Sequence, residues 1–300
     1  MPSPVSKQVS KQVSKQNPKQ AKLNILRAAN LTKIPGLVHG FSTRAGGSSR
    51  AYGGHALNLG FTPDDSKAAV ERNRSAFSRE LTAGTWPLVT ARQVHSDTIQ
   101  FVEAPPKSHL VGDGLITSTP GLLLAIQTAD CLPIILVDPK RRVVGVFHAG
   151  WRGTLKRIVE KGVGEMRRRF GTRPADLKAA IGPGIHGCCY QVGNEVRDQF
   201  ESQFAYAAKL FREVEERDPV REKYPMLFLT ARAPGHSELP KKIFLDLVEA
   251  NRQQLLAAGV PAKSIEASPL CTNCRTDLLF SYRAEKGRTG RMLGAAGIRG

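Results

Sequence analysis

The feature that most restricts the fold is a series of short apolar runs closed by turn residues: Val89, Thr98 to Val102, Leu122 to Ile126, Ile134 to Val137, Val143 to Phe147 and Leu177 to Ile181. Runs this short, bounded by Pro, Gly or Asp, are strand signals. Several of the gaps between them are of hairpin length. Leu155, Ile158, Val159, Val163, Met166 and Phe170 instead recur at helical spacing, with Thr154 a candidate N-cap and Gly171 a stop. Two further helices are expected, roughly from Gly193 to Leu210 and from Phe244 to Ala258, the latter closing at Gly259. Hairpin-spaced strands mixed with a few long helices predict an α+β fold, a single compact domain of mixed β-sheets flanked by helices rather than a regular doubly wound sheet. That domain is expected to span residues 23–300, with "RDPVREKYP" around Asp218 a charged loop or short insertion.

Three soft or borderline metal ligands stand at the ends of strand-like runs: His95 in "ARQVHSD", Cys131 in "LLLAIQTADCLP" and His148 in "VVGVFHAGWRG". Pro133 is expected to stop the strand that precedes Cys131, and the small residues after His148 permit a tight turn. Imidazole plus thiolate suits zinc, and three protein ligands with no obvious fourth describe a catalytic site whose open position holds water or substrate. No short metal motif is matched, so a buried cysteine and hydrogen-bonded histidines stand as the plainer reading. Asp130 reads either as a partner for a ligating histidine or as a turn former.

Disorder is expected only at the start. Val-Ser-Lys-Gln occurs three times from Val5 to Gln16, and residues 1–22 carry Lys7, Lys11, Lys15, Lys19 and Lys22 with no acid. Too little apolar area exists there to offset ordering entropy. The net charge of +18 invites a nucleic-acid reading. Yet the tail supplies five of those charges, "EMRRRF" at Glu165 to Phe170 falls on the polar side of a helix, and no zinc-finger or RNA-binding signature is present. A small anion such as phosphate is an equal partner for that potential, and polynucleotide binding is the weaker expectation. No stretch of about 18 apolar residues exists, so no membrane-spanning helix is expected. Five cysteines, including the neighbours Cys188 and Cys189, do not read as a secreted disulfide framework; reduced thiols and a cytoplasmic location follow.

Two Gly-rich segments match neither a dinucleotide nor a P-loop fingerprint: "STRAGGSS" from Ser42 to Ser49, and "AIGPGIHGCCYQVG" from Ala180 to Gly193. Arg44, within the first, suits phosphate. His236-Ser237-Glu238 followed by "PLCTNC" imitates a zinc deaminase signature, but Leu270 interrupts it, so Cys271 and Cys274 read as packing residues, with a redox pair or second metal site the other reading.

In order along the chain, "HGFSTRAGG", "NLG" at Asn58 to Gly60, "QVHSD", "QTADCLPI", "VFHAGWRGT", the Gly-rich segment through "CCYQVG", "CTNC" and "FSYR" with "TGRM" resemble the YfiH family, also labelled laccase-domain or multicopper polyphenol oxidase. The resemblance spans about residues 35 to 299. It implies a compact α+β fold, a central zinc at the positions of His95, Cys131 and His148, and phosphorolysis of adenosine, inosine, guanosine or methylthioadenosine, with adenosine deamination as a further activity. Arg44, Asn58 and Arg152 are then the candidate phosphate- and substrate-binding residues. His186-Gly187 and Ala284 depart from the family pattern; the first places a side chain in a turn near the expected site, which bears on substrate preference rather than fold.

Copper can occupy the same single site, since it binds nitrogen and sulfur donors more tightly than zinc. Four-copper oxygen chemistry is not expected from seven histidines with no His-x-His pair. Two other readings remain: a cysteine-dependent amidase editing peptidoglycan precursors, with Cys131 activated by a histidine, and a non-catalytic protein that binds nucleic acid or another anion.

Overall fold

The computed structural model describes residues 23–82, 84, 86–215, 223 and 241–300. The basic segment 1–22, most of the stretch around Asp218, and His236 to Glu238 lie outside the described residues.

The short apolar runs form strands, gathered mainly into two sheets. One has the order β1 (Ile25–Leu26), β2 (Leu37–Ser42), β17 (Met292–Ile298), β9 (Leu123–Thr128), β4 (Leu88–Val89). The other has the order β16 (Ile265–Ala267), β12 (Lys178–Ile181), β10 (Leu132–Asp138), β11 (Val143–Ala149), β8 (Gly114–Thr117), β6 (Ile99–Phe101). Both are mixed: β10 pairs antiparallel with β11 and β12, whereas β12 runs parallel to β16 and β6 to β8. Smaller pairings join β13 (Gln191–Val192), β15 (Lys241–Leu245) and β14 (Phe211–Glu215), and β5 (Ala91–Arg92) with β7 (Leu110–Val111); β3 (Ala45–Ser49) lies apart from these sheets.

The two large sheets are stacked face to face with helices outside. Strand alternation sorts the side chains among three apolar layers. Leu124 and Ile126 of β9 meet Ile135 and Val137 of β10 between the sheets, with Val144 and Val146 of β11. Leu123 and Ala125 point the other way, to Phe77 and Leu81 of α2 (Lys67–Thr82). Ile134, Leu136 and Phe147 face α4 (Ile158–Phe170) and α6 (Leu247–Ala257). Burial of both faces is why the central runs are apolar throughout instead of alternating. The other α-helices bounded among the described residues are α1 (Ala29–Thr32), α3 (Trp151–Leu155) and α5 (Asn194–Glu201).

Three boundaries differ from the sequence reading. The helix placed from Gly193 to Leu210 stops at Glu201, because the apolar residues that follow, Phe204, Ala207 and Leu210, come every third position and suit the 3-10 turn formed at Ala207–Lys209. Phe244 belongs to strand β15, and α6 begins only after Asp246, whose carboxylate accepts the N–H of Glu249 at 2.9 Å as an N-cap. Thr154 is not an N-cap but lies within α3, a separate short helix broken from α4 at Arg157, whose φ is +64°. Gly171 does end α4, in the left-handed conformation.

Candidate metal centre

Sheet register assembles the site. Leu132 pairs with Ala149 and Pro133 with His148 across the β10–β11 hairpin, so Cys131, one residue before β10, comes opposite Gly150. Pro133 therefore does not stop a strand, as its missing N–H had suggested: β9 ends at Thr128, Asp130 turns the chain with a φ of +94°, and Pro133 is the second residue of the next strand. On the other side of β11, Phe147 pairs with Gly114, which sets Asp113 beside His148. His95 arrives from a turn after β5, with a φ of +57°.

His95, Cys131 and His148 offer donor atoms that all lie within 4.8 Å of one another, as the sequence reading required. The imidazoles stand edge to face, with centroids 4.9 Å apart. His148 is buried, Cys131 half-buried and His95 exposed, so the site opens on the His95 side. A Cβ on Gly150 would fall 2.8 Å from the Cys131 sulfur and 3.3 Å from the His95 ring; glycine there keeps the space beside both ligands clear.

Asp113 organises the cluster, and the sequence reading missed it. Its fully buried carboxylate lies 2.8 Å from His148 Nδ1 and accepts the backbone N–H groups of Val94, His95 and Ser96 and the Ser96 hydroxyl. One carboxylate thus orients one ligand and shapes the turn that carries another, leaving His148 Nε2 for the centre. Placed in "VGDGL", it resembles an ordinary Gly-flanked turn residue; only its position before β8, opposite His148, reveals the role.

The charges are coupled. Burial pushes the Cys131 thiol up, but His148 and His95 outweigh it and bring its pKa to about 6. Burial would lower His148, yet the Cys131 thiolate and Asp113 raise it to about 9. Burial likewise opposes ionisation of Asp113, and its bonds from His148 and Ser96 hold it far below the ordinary carboxylate range. Each charge favours the other: an imidazolium at His148 favours the Cys131 thiolate, and the thiolate favours the imidazolium.

The three residues expected to bind phosphate or substrate separate on inspection. Arg44 donates to the carbonyls of Thr276, Leu279 and Tyr52, pairs with Glu285 at 3.1 Å and lies over Phe280; its guanidinium is committed to the C-terminal loop. Asn58 is fully buried, its amide donating to Gly60 and Asp65 and accepting from Gly60 and Arg291, an internal turn tie. Arg152 is exposed, stacks 4.4 Å over Trp151 and makes no ion pair with any described residue. Tyr190 and Arg283 join it at the mouth: the Arg283 guanidinium lies 5.5 Å from the Tyr190 ring, and burial, then the nearby Cys131, keeps the Tyr190 hydroxyl protonated. Asp130, the partner considered for a ligating histidine, instead accepts from the hydroxyls of Thr272 and Ser281 and the N–H of Arg283.

Known proteins share this architecture. A purine nucleoside phosphorylase of Deinococcus radiodurans is 38% identical over 278 residues, 92% of this chain and 93% of its own length. Adenosine deaminase RL5, from an unknown prokaryotic organism, is 34% identical over 85% of this chain and 91% of its own length. The crystal structure of YfiH from Bacillus licheniformis superposes with a TM-score of 0.73 at 35% identity, covering 88% of this chain and 93% of that one. No helix among the described residues is long and apolar enough to cross a membrane. With residues 38–299 matching its pattern, the chain belongs to the family described as multi-copper polyphenol oxidoreductase laccase.

Proposed function

We propose that this chain is a zinc-dependent purine nucleoside phosphorylase acting in the cytoplasm on adenosine, inosine, guanosine or methylthioadenosine. The observation that carries this reading is the convergence of His95, Cys131 and His148 in a chain similar over nearly its whole length to a protein of that name. The donor set fits zinc: two imidazoles and a thiolate within 4.8 Å, one imidazole held from behind by a buried carboxylate. Copper fits the same donors. When bound, the metal would supply a Lewis acid at an open coordination position.

The chain's own side chains supply the rest. Asp113 fixes the tautomer and aim of His148. Gly150 leaves room beside Cys131 and His95. Arg152 offers its unpaired guanidinium to phosphate, taking the part expected of Arg44, with Arg283 a second cation across Tyr190. A phosphate oxygen attacks the anomeric carbon, the C–N bond breaks, and its electron pair leaves with the purine, which takes up a proton. Deamination of adenosine at the same site, by water attacking C6 with loss of ammonia, is a side reaction.

Inosine and phosphate should yield hypoxanthine and ribose 1-phosphate, and Cys131→Ser should lose this turnover together with the metal held there. A variant that keeps both overturns the reading. The alignment Cys131–His148–Asp113 also favours a second reading, a thiol hydrolase such as an amidase acting on peptidoglycan precursors. Iodoacetamide separates the two. Zinc that protects Cys131 from alkylation supports the phosphorylase; a metal-free enzyme that is active until alkylated supports the hydrolase.

A further inference from the structure

Four of the five cysteines lie outside the centre just described, and they meet. Cys188, Cys189, Cys271 and Cys274 place their sulfurs within 4.8 Å of one another, although 81 residues separate the second of them from the third. Cys188 lies 3.7 Å and Cys189 3.3 Å from the Cys274 sulfur. Four thiolates around one zinc at Zn–S of about 2.3 Å would stand about 3.8 Å apart, close to these separations, whereas a multi-iron cluster spreads its cysteines wider.

The backbone also meets this cluster: the N–H of His186, in the segment that carries Cys188 and Cys189, points at the Cys271 sulfur at 3.5 Å, a donor suited to a thiolate. The two segments that carry the cysteines are tight turns rather than helices or strands. Cys189 and Tyr190 both donate to the carbonyl of His186, and Arg275 donates to that of Cys271. Their backbones meet at the bridge of Gly184 with Cys271, where the N–H of Thr272 donates to the Gly184 carbonyl at 2.9 Å, so the four sulfurs are brought together by main-chain pairing.

We infer that Cys188, Cys189, Cys271 and Cys274 form a second, structural metal site that holds one zinc ion as a tetrathiolate. No position is left open for substrate, so the site is a clamp. It locks the turn before Tyr190 to the loop that carries Arg283, and both of those residues border the first centre. Zinc entry displaces the thiol protons and forms four Zn–S bonds, with no oxidation or reduction. Of the readings that the sequence left for Cys271 and Cys274, packing, a redox pair or a second metal site, this is the last.

The test uses full-length protein purified with zinc under reducing conditions. Elemental analysis should give two zinc ions per chain, falling to one in Cys188→Ser/Cys274→Ser, in which two exposed sulfurs are removed. X-ray absorption of Cys131→Ser, which retains only the second site, should show four sulfurs at about 2.3 Å. Cobalt substitution of the same variant should give the intense visible bands of a tetrahedral thiolate complex. Loss of all zinc from Cys131→Ser, iron in place of zinc, or a disulfide among these cysteines in protein purified without reductant would each overturn the inference. Failure of the first centre is distinguishable: wild type would then carry one zinc ion, retained in Cys131→Ser. Should the double variant not fold, the Cys131→Ser measurements still decide.

Discussion

Five donors converge on Asp113 because a carboxylate with no solvent exposure must be met by hydrogen bonds or be neutral. Three of them are backbone N–H groups of the His95 turn, so the negative charge facing His148 and the shape of that turn have one source, the Asp113 carboxylate. Asp113→Asn keeps the size and removes the charge. Zinc affinity at this centre, measured by chelator competition, should fall about 10- to 100-fold. The metal-free protein gives a second readout through pH. A Cys131 pKa of about 6 means that its alkylation by iodoacetamide should be half-maximal near that pH and slow as pH falls further, since only the thiolate reacts. Asp113 helps keep His148 cationic, and the cation sustains the thiolate, so Asp113→Asn should move the midpoint upward. An unchanged midpoint would contradict the coupling.

Helix α4 lies against β11 through the ring of Phe147, and two glycines create the seat. A Cβ on Gly145 would fall 2.7 Å from that ring and one on Gly162 2.6 Å. Gly164, two residues along the same helix, is exposed and has nothing within 4 Å of its Cβ position. Alanine improves helix propensity by about 1 kcal/mol at either position, but overpacking a filled core costs about 1–3 kcal/mol. Gly164→Ala should therefore raise the urea midpoint and Gly162→Ala lower it; equal shifts would mean that the ring yields. The helix break at Arg157 and the α5 stop at Glu201 belong to this scale too. Periodicity located the elements well, yet it could not see that Thr154 is held inside α3 by Asn251 at 2.9 Å and Gln254 at 2.6 Å, both from distant α6.

At the scale of the molecule, the chain's middle and its C-terminal region are fastened around the turn before Cys131. Asp130 takes the hydroxyls of Thr272 and Ser281 and the N–H of Arg283, while its carbonyl takes the N–H of Ile185. Asp130→Ala should strand these buried donors and cost about 3 kcal/mol or more, seen as a lower unfolding midpoint in urea. Stability equal to wild type would show the fastening to be idle. The sequence alone pointed to short apolar strands bounded by turn residues, an α+β architecture, and His95, Cys131 and His148 as one centre. These properties reside in local apolar runs and in donor chemistry that needs no partner to be recognised. Only tertiary structure decided that Asp113 and not Asp130 backs His148, that Arg44 and Asn58 are internal ties, and that the other four cysteines share one spot. Each of those outcomes depends on which strand lies beside which and in what register, a long-range choice settled by burying both sheet faces together.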